Sequence, residues 1–210
     1  SFETLQNIGR EYHRANPVFF QAEIDKGVAT DVAAMFYTSG TTGNPKGVVH
    51  THQSLLVAAR MGAEWEKLDA NEEVLAYLPM AWIGQSIFSY AQAYVCGYCV
   101  SCPESAETVT IDMREIGPTY YFAPPRVFEA LLTQMTIRME DAGWVTRKLY
   151  GYFMALATRV GPRILDREAG VSLVDRALYS IGNVFVYAPL RNVLGMSRIK
   201  LAYTAGEAIG

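Results

Sequence analysis

The chain has 210 residues, half of them hydrophobic and 19% charged, a globular balance that suits one domain or two and is long enough to bury a core. A net charge of −3 and a pI near 5.7 argue against a basic nucleic-acid-binding module, so no nucleic acid is expected as a partner. There is no basic-plus-apolar leader and no apolar run long enough to span a bilayer, and the default expectation is a cytoplasmic protein.

Residues 1–15 carry Phe2, Leu5, Ile8, Gly9 and Tyr12 at helical spacing, with Ser1 as the N-cap. Pro17 ends or restarts that helix, 18–26 reads as a helix again, and 27–31 as a loop. Two short strands follow. Ala33, Ala34, Met35 and Phe36 lie in the first, Val48 and Val49 in the second, with a polar loop between. Thr51 is placed to cap a helix running to about Leu68, with Leu55, Leu56, Ala59 and Trp65 facing inward. His50 and His52 at this junction read as packing and capping residues rather than metal ligands or general bases.

Residues 73–78 read as a strand that ends in an irregular turn, P-M-A-W-I-G-Q, at 79–85. In open α/β sheets that end of a strand is where ligands bind. Then come a helix at 86–95, a strand at 98–101, a helix at 107–116, a strand at 119–123, and an amphipathic helix at 126–141 built on Val127, Leu131, Met135 and Ile137. This alternation predicts an α/β fold, a layered and mostly parallel sheet with flanking helices. Cys96, Cys99 and Cys102 form C-x-x-C-x-x-C in an apolar stretch. The fourth cysteine of an iron–sulfur run is missing, so they read as reduced structural thiols of the core, and no metal site is expected.

Residues 143–195 carry no convincing strand, and the helical pieces 145–160, 173–181 and 185–194 follow one another. The first mixes Arg147, Lys148 and Arg159 with Leu149, Tyr150, Phe153, Met154 and Leu156. Such a helix either packs on its own domain or lies on a membrane surface. The last strand is 198–204, followed by a turn at 205–208. The chain begins abruptly and stops at Gly210 just past an apolar run, which reads as a piece of a longer protein; a sheet cut in this way would leave an edge open to oligomers.

The stretch with most chemistry is 37–48, Y-T-S-G-T-T-G-N-P-K-G-V. Gly40, Gly43 and Gly47 let successive N–H groups turn toward one centre. The hydroxyls of Thr38, Ser39, Thr41 and Thr42 and the ammonium of Lys46 can point at the same centre. A cluster of N–H donors, O–H donors and one ammonium suits a polyphosphate. The spacing G-x-x-G-x-x-K-G is neither the Walker A nor the Rossmann pattern. A polar hairpin loop without a ligand is the bland alternative, but it needs one or two of these residues, not the set.

This loop resembles, nearly residue for residue, the phosphate-loop signature of the acyl-adenylate-forming enzymes, the superfamily of acyl-CoA synthetases, peptide-synthetase adenylation domains and luciferases. Three further stretches resemble the same family in order: L-P-M-A-W-I-G at 78–84, Y-F-A-P-P-R-V-F at 121–128 and T-A-G-E-A-I-G at 204–210. The stretches L-V-D-R-A-L-Y and V-Y-A-P-L-R-N-V-L-G before the last are similar to long-chain acyl-CoA synthetases. The resemblance implies part of an acetyl-CoA synthetase-like N-terminal domain over 1–210, with a helical insert at 143–195. The rest of that domain and a small C-terminal domain would lie outside this chain. The implied reaction is ATP-dependent activation of a long-chain fatty acid to an acyl-adenylate and then to acyl-CoA, with Mg2+. Fatty acid, ATP and coenzyme A are the implied partners.

In that reading Thr38, Ser39, Gly40, Thr41, Thr42, Gly43 and Lys46 hold the phosphates, and Lys46, Thr41 and Thr42 take the catalytic part. Ala205, Gly206 and Glu207 border adenine, and Trp82 gates the acyl pocket. Trp82 stands where many relatives have histidine or another aromatic, and Glu207 where alanine is common. Two other readings stay open: an adenylating ligase for an aryl, bile or amino acid, and a non-catalytic phosphate-binding or peripheral membrane module.

Overall fold

Hydrophobic alternation in three short strands decides the layering. The computed structural model describes residues 1–38, 43–167 and 170–205. In chain order, α1 (Phe2–Ala15) and α2 (Phe19–Ile24) precede β1 (Val32–Thr38) and β2 (Lys46–Thr51), which pair as an antiparallel hairpin. Next come α3 (His52–Glu66), β3 (Glu73–Leu75), α4 (Ile83–Gln85), a π-helical stretch Ser86–Ala91, α5 (Gln92–Cys96) and β4 (Cys99–Ser101). The chain continues through α6 (Val109–Ile116), β5 (Tyr120–Phe122), α7 (Pro125–Glu140), α8 (Trp144–Leu165) and α9 (Leu173–Gly182). A second π-helical stretch, Asn183–Tyr187, leads to α10 (Ala188–Val193) and β6 (Leu201–Tyr203).

The second sheet has the order β4-β3-β5-β6, and its pairs are all parallel. Val74 and Tyr120 are buried on one face with Tyr98, under Phe88, Ala93 and Cys96 of the helical run 83–96. Their neighbours Leu75 and Tyr121 are buried on the other face, under Met113 of α6 and Val127 and Phe128 of α7. Successive strand side chains point to opposite faces, so a strand buried on both sides must be sandwiched between helices. The expected α/β architecture is present.

The cap expected at Ser1 is present, its hydroxyl accepting from the Thr4 N–H at 3.2 Å. Three residues expected to face inward do not. Trp65 is 82% exposed, and Leu56 and Ile137 face solvent as well. The inner side of α3 is built from Ala59 and Ala63 with Gly62, small residues that let the 83–96 helix approach closely. Trp65 lies on the other side of the helical wheel, where a large ring meets no neighbouring helix. The cysteines also depart from expectation: all three are free thiols, but Cys99 and Cys102 are exposed, because β4 pairs only with β3.

Residues 144–193 form a core of their own. Phe153, Leu156 and Val160 of α8 are buried against Leu178, Tyr179, Val186, Tyr187 and Leu190. Its end is tied to the sheet layer: the Arg114 Nε donates to the Val193 carbonyl at 2.6 Å.

Candidate functional site

The β1–β2 register pairs Tyr37 with Gly47 and Thr38 with Lys46, so the two ends of the glycine-rich loop meet. Gly43 has a φ of +85°, the left-handed region that a side chain would strain. Thr38, Gly43 and Lys46 are exposed at the mouth of the loop. Ser39, Gly40, Thr41 and Thr42 lie outside the described residues.

The hairpin runs directly into α3, and the amides at that helix's start already have partners. Ser54 N–H donates to the Thr51 hydroxyl at 3.1 Å, and Thr51 N–H donates to the Ser54 hydroxyl at 3.0 Å, a reciprocal cap. His52 N–H donates to the Asp31 carbonyl at 3.1 Å and Gln53 N–H to the Ala29 carbonyl at 2.8 Å. In a Walker loop the helix N-terminus supplies anion-binding amides. Here those amides are taken, so a phosphate would rest on the hairpin loop itself. His50 sits edge-to-face with Phe36, ring centroids 5.7 Å apart, with Nδ1 3.4 Å from the Ser54 hydroxyl. It packs the hairpin onto α3, as its sequence context predicts.

The sheet has a switch point between β3 and β5. The chain leaves β3 for β4 on one side, then returns past β3 to β5 on the other. The two strands are paired at Val74 and Tyr120 only, and beyond that each holds its outer neighbour: Ala76 N–H donates to the Ser101 carbonyl at 2.8 Å, and Ala123 N–H to the Tyr203 carbonyl at 3.0 Å. In open parallel sheets ligands bind at such a parting of the strands' carboxyl ends. Tyr77 bridges the two strands there. Its hydroxyl donates to the Phe122 carbonyl at 3.1 Å and lies 3.2 Å from the Tyr121 hydroxyl, and burial beside that neighbour pushes the Tyr77 phenol far above its ordinary value.

Three of the four family-like stretches leave the sheet at this edge. The run 78–84 follows β3, 121–128 spans the end of β5, and 204–210 follows β6. Trp82, 49% exposed, precedes α4 in an extended conformation, held by a turn in which its N–H donates to the Pro79 carbonyl at 3.0 Å. Two residues on, Gly84 lies against Phe122, whose Cε1 would be 2.8 Å from a Cβ placed there. Phe122 packs on Phe88 with centroids 4.9 Å apart, and Phe88 stacks on Tyr203 at 5.2 Å. Ala205 is described and exposed, whereas Gly206 and Glu207 lie outside the described residues.

Helix packing sets the level of the hairpin. Gly62 of α3 lies against the side chain of Gln92, and farther along Lys67 and Leu68 share a groove with Val95 and Cys96. The two helices therefore run side by side in the same direction. Ten residues back from Gly62 is His52, and ten back from Gln92 is Trp82; both lie toward the N-terminal ends of these parallel helices, within about a helical turn of each other along the axis. The base of the hairpin thus stands on the same side of the molecule as the crevice. Sequence reasoning missed Phe88, Phe122 and Tyr203 as an aromatic cluster on the 83–96 face of this edge, and Tyr77, whose ring stacks on Tyr121 on the opposite face. The available signal was aromatic residues recurring at strand ends.

A family model described as AMP-binding enzyme matches residues 3–210. The bovine long-chain-fatty-acid–CoA ligase ACSBG1 is 30% identical over 208 residues, 94% of this chain and 27% of that protein. Long chain acyl-CoA synthetase 3 of Arabidopsis thaliana is 30% identical over 128 residues, 59% of this chain and 19% of that protein. Among solved structures, the adenylation domain of a keto acid-selecting NRPS module bound to keto acyl adenylate aligns with a TM-score of 0.48 at 18% identity, covering 56% of this chain and 23% of that one. The chain spans less than a third of the length of either curated relative. With the family model matching all but the first two residues, this chain belongs to the AMP-binding enzyme family.

Proposed function

We propose that these residues are part of the nucleotide- and acid-binding half of an adenylating fatty-acid–CoA ligase, acting on a long-chain acid. The observation that carries the reading is the match to the AMP-binding family across 3–210, together with a hairpin loop carrying Lys46 on the same side of the molecule as the switch-point crevice. The fatty-acid branch rests on relatives such as bovine ACSBG1.

In the first half-reaction the fatty carboxylate attacks the α-phosphorus of ATP. The bond to pyrophosphate breaks, and the acyl-adenylate forms. Negative charge grows on the leaving pyrophosphate. In the proposal the Lys46 ammonium, the hydroxyls of Thr38, Ser39, Thr41 and Thr42, and the amides of Gly40 and Gly43 hold that charge as hydrogen-bond donors and a cation aimed at the developing negative charge. Ala205, Gly206 and Glu207 border the adenine, and Trp82 closes over the acid. In the second half-reaction the coenzyme A thiol attacks the acyl carbonyl, and AMP leaves.

Bound magnesium would neutralise phosphate charge as a Lewis acid. The described residues at the loop mouth offer a hydroxyl, an amide and an ammonium but no carboxylate, and this set fits phosphate rather than a resident magnesium ion.

Acid-dependent ATP–pyrophosphate exchange tests the proposal, run on the full polypeptide that carries these residues and across acids of graded chain length. Exchange that rises with chain length supports adenylation of a long-chain acid. Exchange only with aryl or amino acids moves the substrate to another class, and no exchange with any acid leaves phosphate binding without turnover.

A further inference from the structure

Tyr77 makes a contact that the strand ladder does not account for. On one side of β5, Leu201 N–H donates to the Thr119 carbonyl at 3.3 Å and Ala123 N–H to the Tyr203 carbonyl at 3.0 Å, so the main chain of these alternate residues is turned to β6. In a parallel ladder the residues between them bond to the other neighbour, so the main chain of Tyr120 and Phe122 faces β3. With Val74 opposite Tyr120, a ladder carried two residues further would bring the Tyr77 N–H to the Phe122 carbonyl. The strands have parted by then, and that carbonyl accepts from the Tyr77 hydroxyl at 3.1 Å instead. A phenol side chain spans the opening that a backbone bond would have closed.

The Tyr77 ring is itself held. It stacks on Tyr121, centroids 5.9 Å apart and planes 10° from parallel, on the face covered by α6 and α7. The Phe122 ring lies on the opposite face, against Gly84 and Phe88. A side chain on one face of the sheet therefore fixes the main chain of a residue whose ring packs on the other. Beyond this bond the chain passes through Leu78 into the turn that carries Trp82. That turn is closed on itself: besides the bond from Trp82 N–H to Pro79, the Ser86 hydroxyl donates to the Met80 carbonyl at 3.1 Å and Ser86 N–H to the Trp82 carbonyl at 3.2 Å. Trp82 thus follows the end of β3, and Phe122 the end of β5. Gly84 and Phe122 approach too closely to admit a Cβ, so a small spreading of the strand ends moves the Phe122 ring away from the Trp82 turn.

We infer that Tyr77 is a positioning residue for the acid: its hydroxyl fixes the separation of β3 and β5 where they part, and with it the spacing of the Trp82 turn from Phe122. This rests on the reading above, in which Trp82 closes over the acid of an adenylating ligase. Tyr77→Phe keeps the ring and deletes the hydroxyl. It is compared with the wild type in ATP–pyrophosphate exchange on the full polypeptide, well below the melting temperature of either protein. The KM for a long-chain acid rises about three- to ten-fold, the scale of one lost hydrogen bond, while kcat and the KM for ATP stay within about two-fold. A KM raised at constant kcat marks binding lost equally from ground and transition state, which lower stability alone does not produce. Tyr187→Phe is the control. It deletes a bond of the same kind, from phenol to the Phe153 carbonyl at 2.6 Å, in the separate core of 144–193, and leaves the KM for the acid unchanged. The inference alone is overturned, with the adenylating reading intact, by a wild-type KM in Tyr77→Phe, by a fall in kcat without a change in KM, or by an equal rise of KM in Tyr187→Phe. Absence of exchange by the wild type with every acid overturns the adenylating reading and the inference with it.

Discussion

The Lys200 ammonium lies 2.9 Å from the carboxylate of Glu72, at the edge of the sheet where its strands begin. Glu72 is 4% exposed, and the Thr119 hydroxyl donates to its other oxygen at 2.5 Å while accepting from the Glu73 N–H at 2.9 Å. Residues ahead of β3, β5 and β6 are thereby joined on one buried carboxylate. The bond to Glu72 is the main reason that the Lys200 pKa is raised. Replacing Thr119 with valine removes both bonds and leaves Glu72 short of a donor. The expected loss is about 1–3 kcal/mol in urea unfolding, the cost of leaving a buried polar group unpaired. An unchanged midpoint would show that the cluster adds nothing to stability.

Alkaline pH should unfold the chain through its tyrosines. Burial raises the phenols of Tyr77, Tyr98 and Tyr120 well above their ordinary value, and Tyr203 is pushed up to about 12 by burial and by its bond to Glu66. A pKa higher in the folded state gives stability that is fully present below the unfolded value, near 10, and is lost as the pH rises through the folded values. The urea midpoint should hold up to about pH 10 and fall steeply above it. Tyrosinate absorbance should rise in two stages, exposed rings first and buried rings only with unfolding. A single stage with the fold intact would sink this account.

Among the described glycines, Gly195 is the one least able to accept a side chain. Its φ is +74°, and a Cβ would lie 2.3 Å from the Met113 carbonyl oxygen, a backbone atom that cannot swing away. Gly195→Ala combines left-handed strain with overpacking, together about 3 kcal/mol. Gly143→Ala is the control, since a Cβ there meets nothing within 4 Å and φ is −57°. Comparable melting temperatures for the two variants would contradict this packing at Gly195.

Lys46→Ala is expected to weaken ATP binding by about 1–3 kcal/mol in titration calorimetry, the range for one charge-assisted contact. The side chain is exposed at the loop mouth, so the variant should fold as the wild type does. Equal affinity in both proteins would remove Lys46 from the proposed phosphate site.

The layered sheet could be read in advance because its strands are short apolar runs separated by helical periods, with prolines close after β3, β4 and β5. The caps at Ser1 and Thr51 were legible for the same local reason: a hydroxyl residue directly before a helix satisfies amides a few residues on. Trp65 and Leu56 were not. Helical spacing identifies a face but not what that face meets, and on α3 the close partner demanded alanine and glycine. The exposure of Cys99 and Cys102 was hidden likewise, because an apolar run gives no sign of being an edge strand.

Local chemistry alone determined the donor-rich, glycine-rich composition of 37–48 and the alternation that builds a parallel sheet. Those depend on neighbours in sequence, through backbone freedom, hydroxyl and amine donors and side-chain period. Tertiary structure alone decided strand order, and with it the switch point that opens between β3 and β5. It also decided that α3 runs beside the 83–96 helix and brings the hairpin base to the same end as Trp82. It left Leu149, Tyr152 and Phe185 outside the helical core that their spacing would have entered. These outcomes depend on which surfaces pack together across dozens of residues, and a one-dimensional pattern of polar and apolar residues carries no information about which surface will find which.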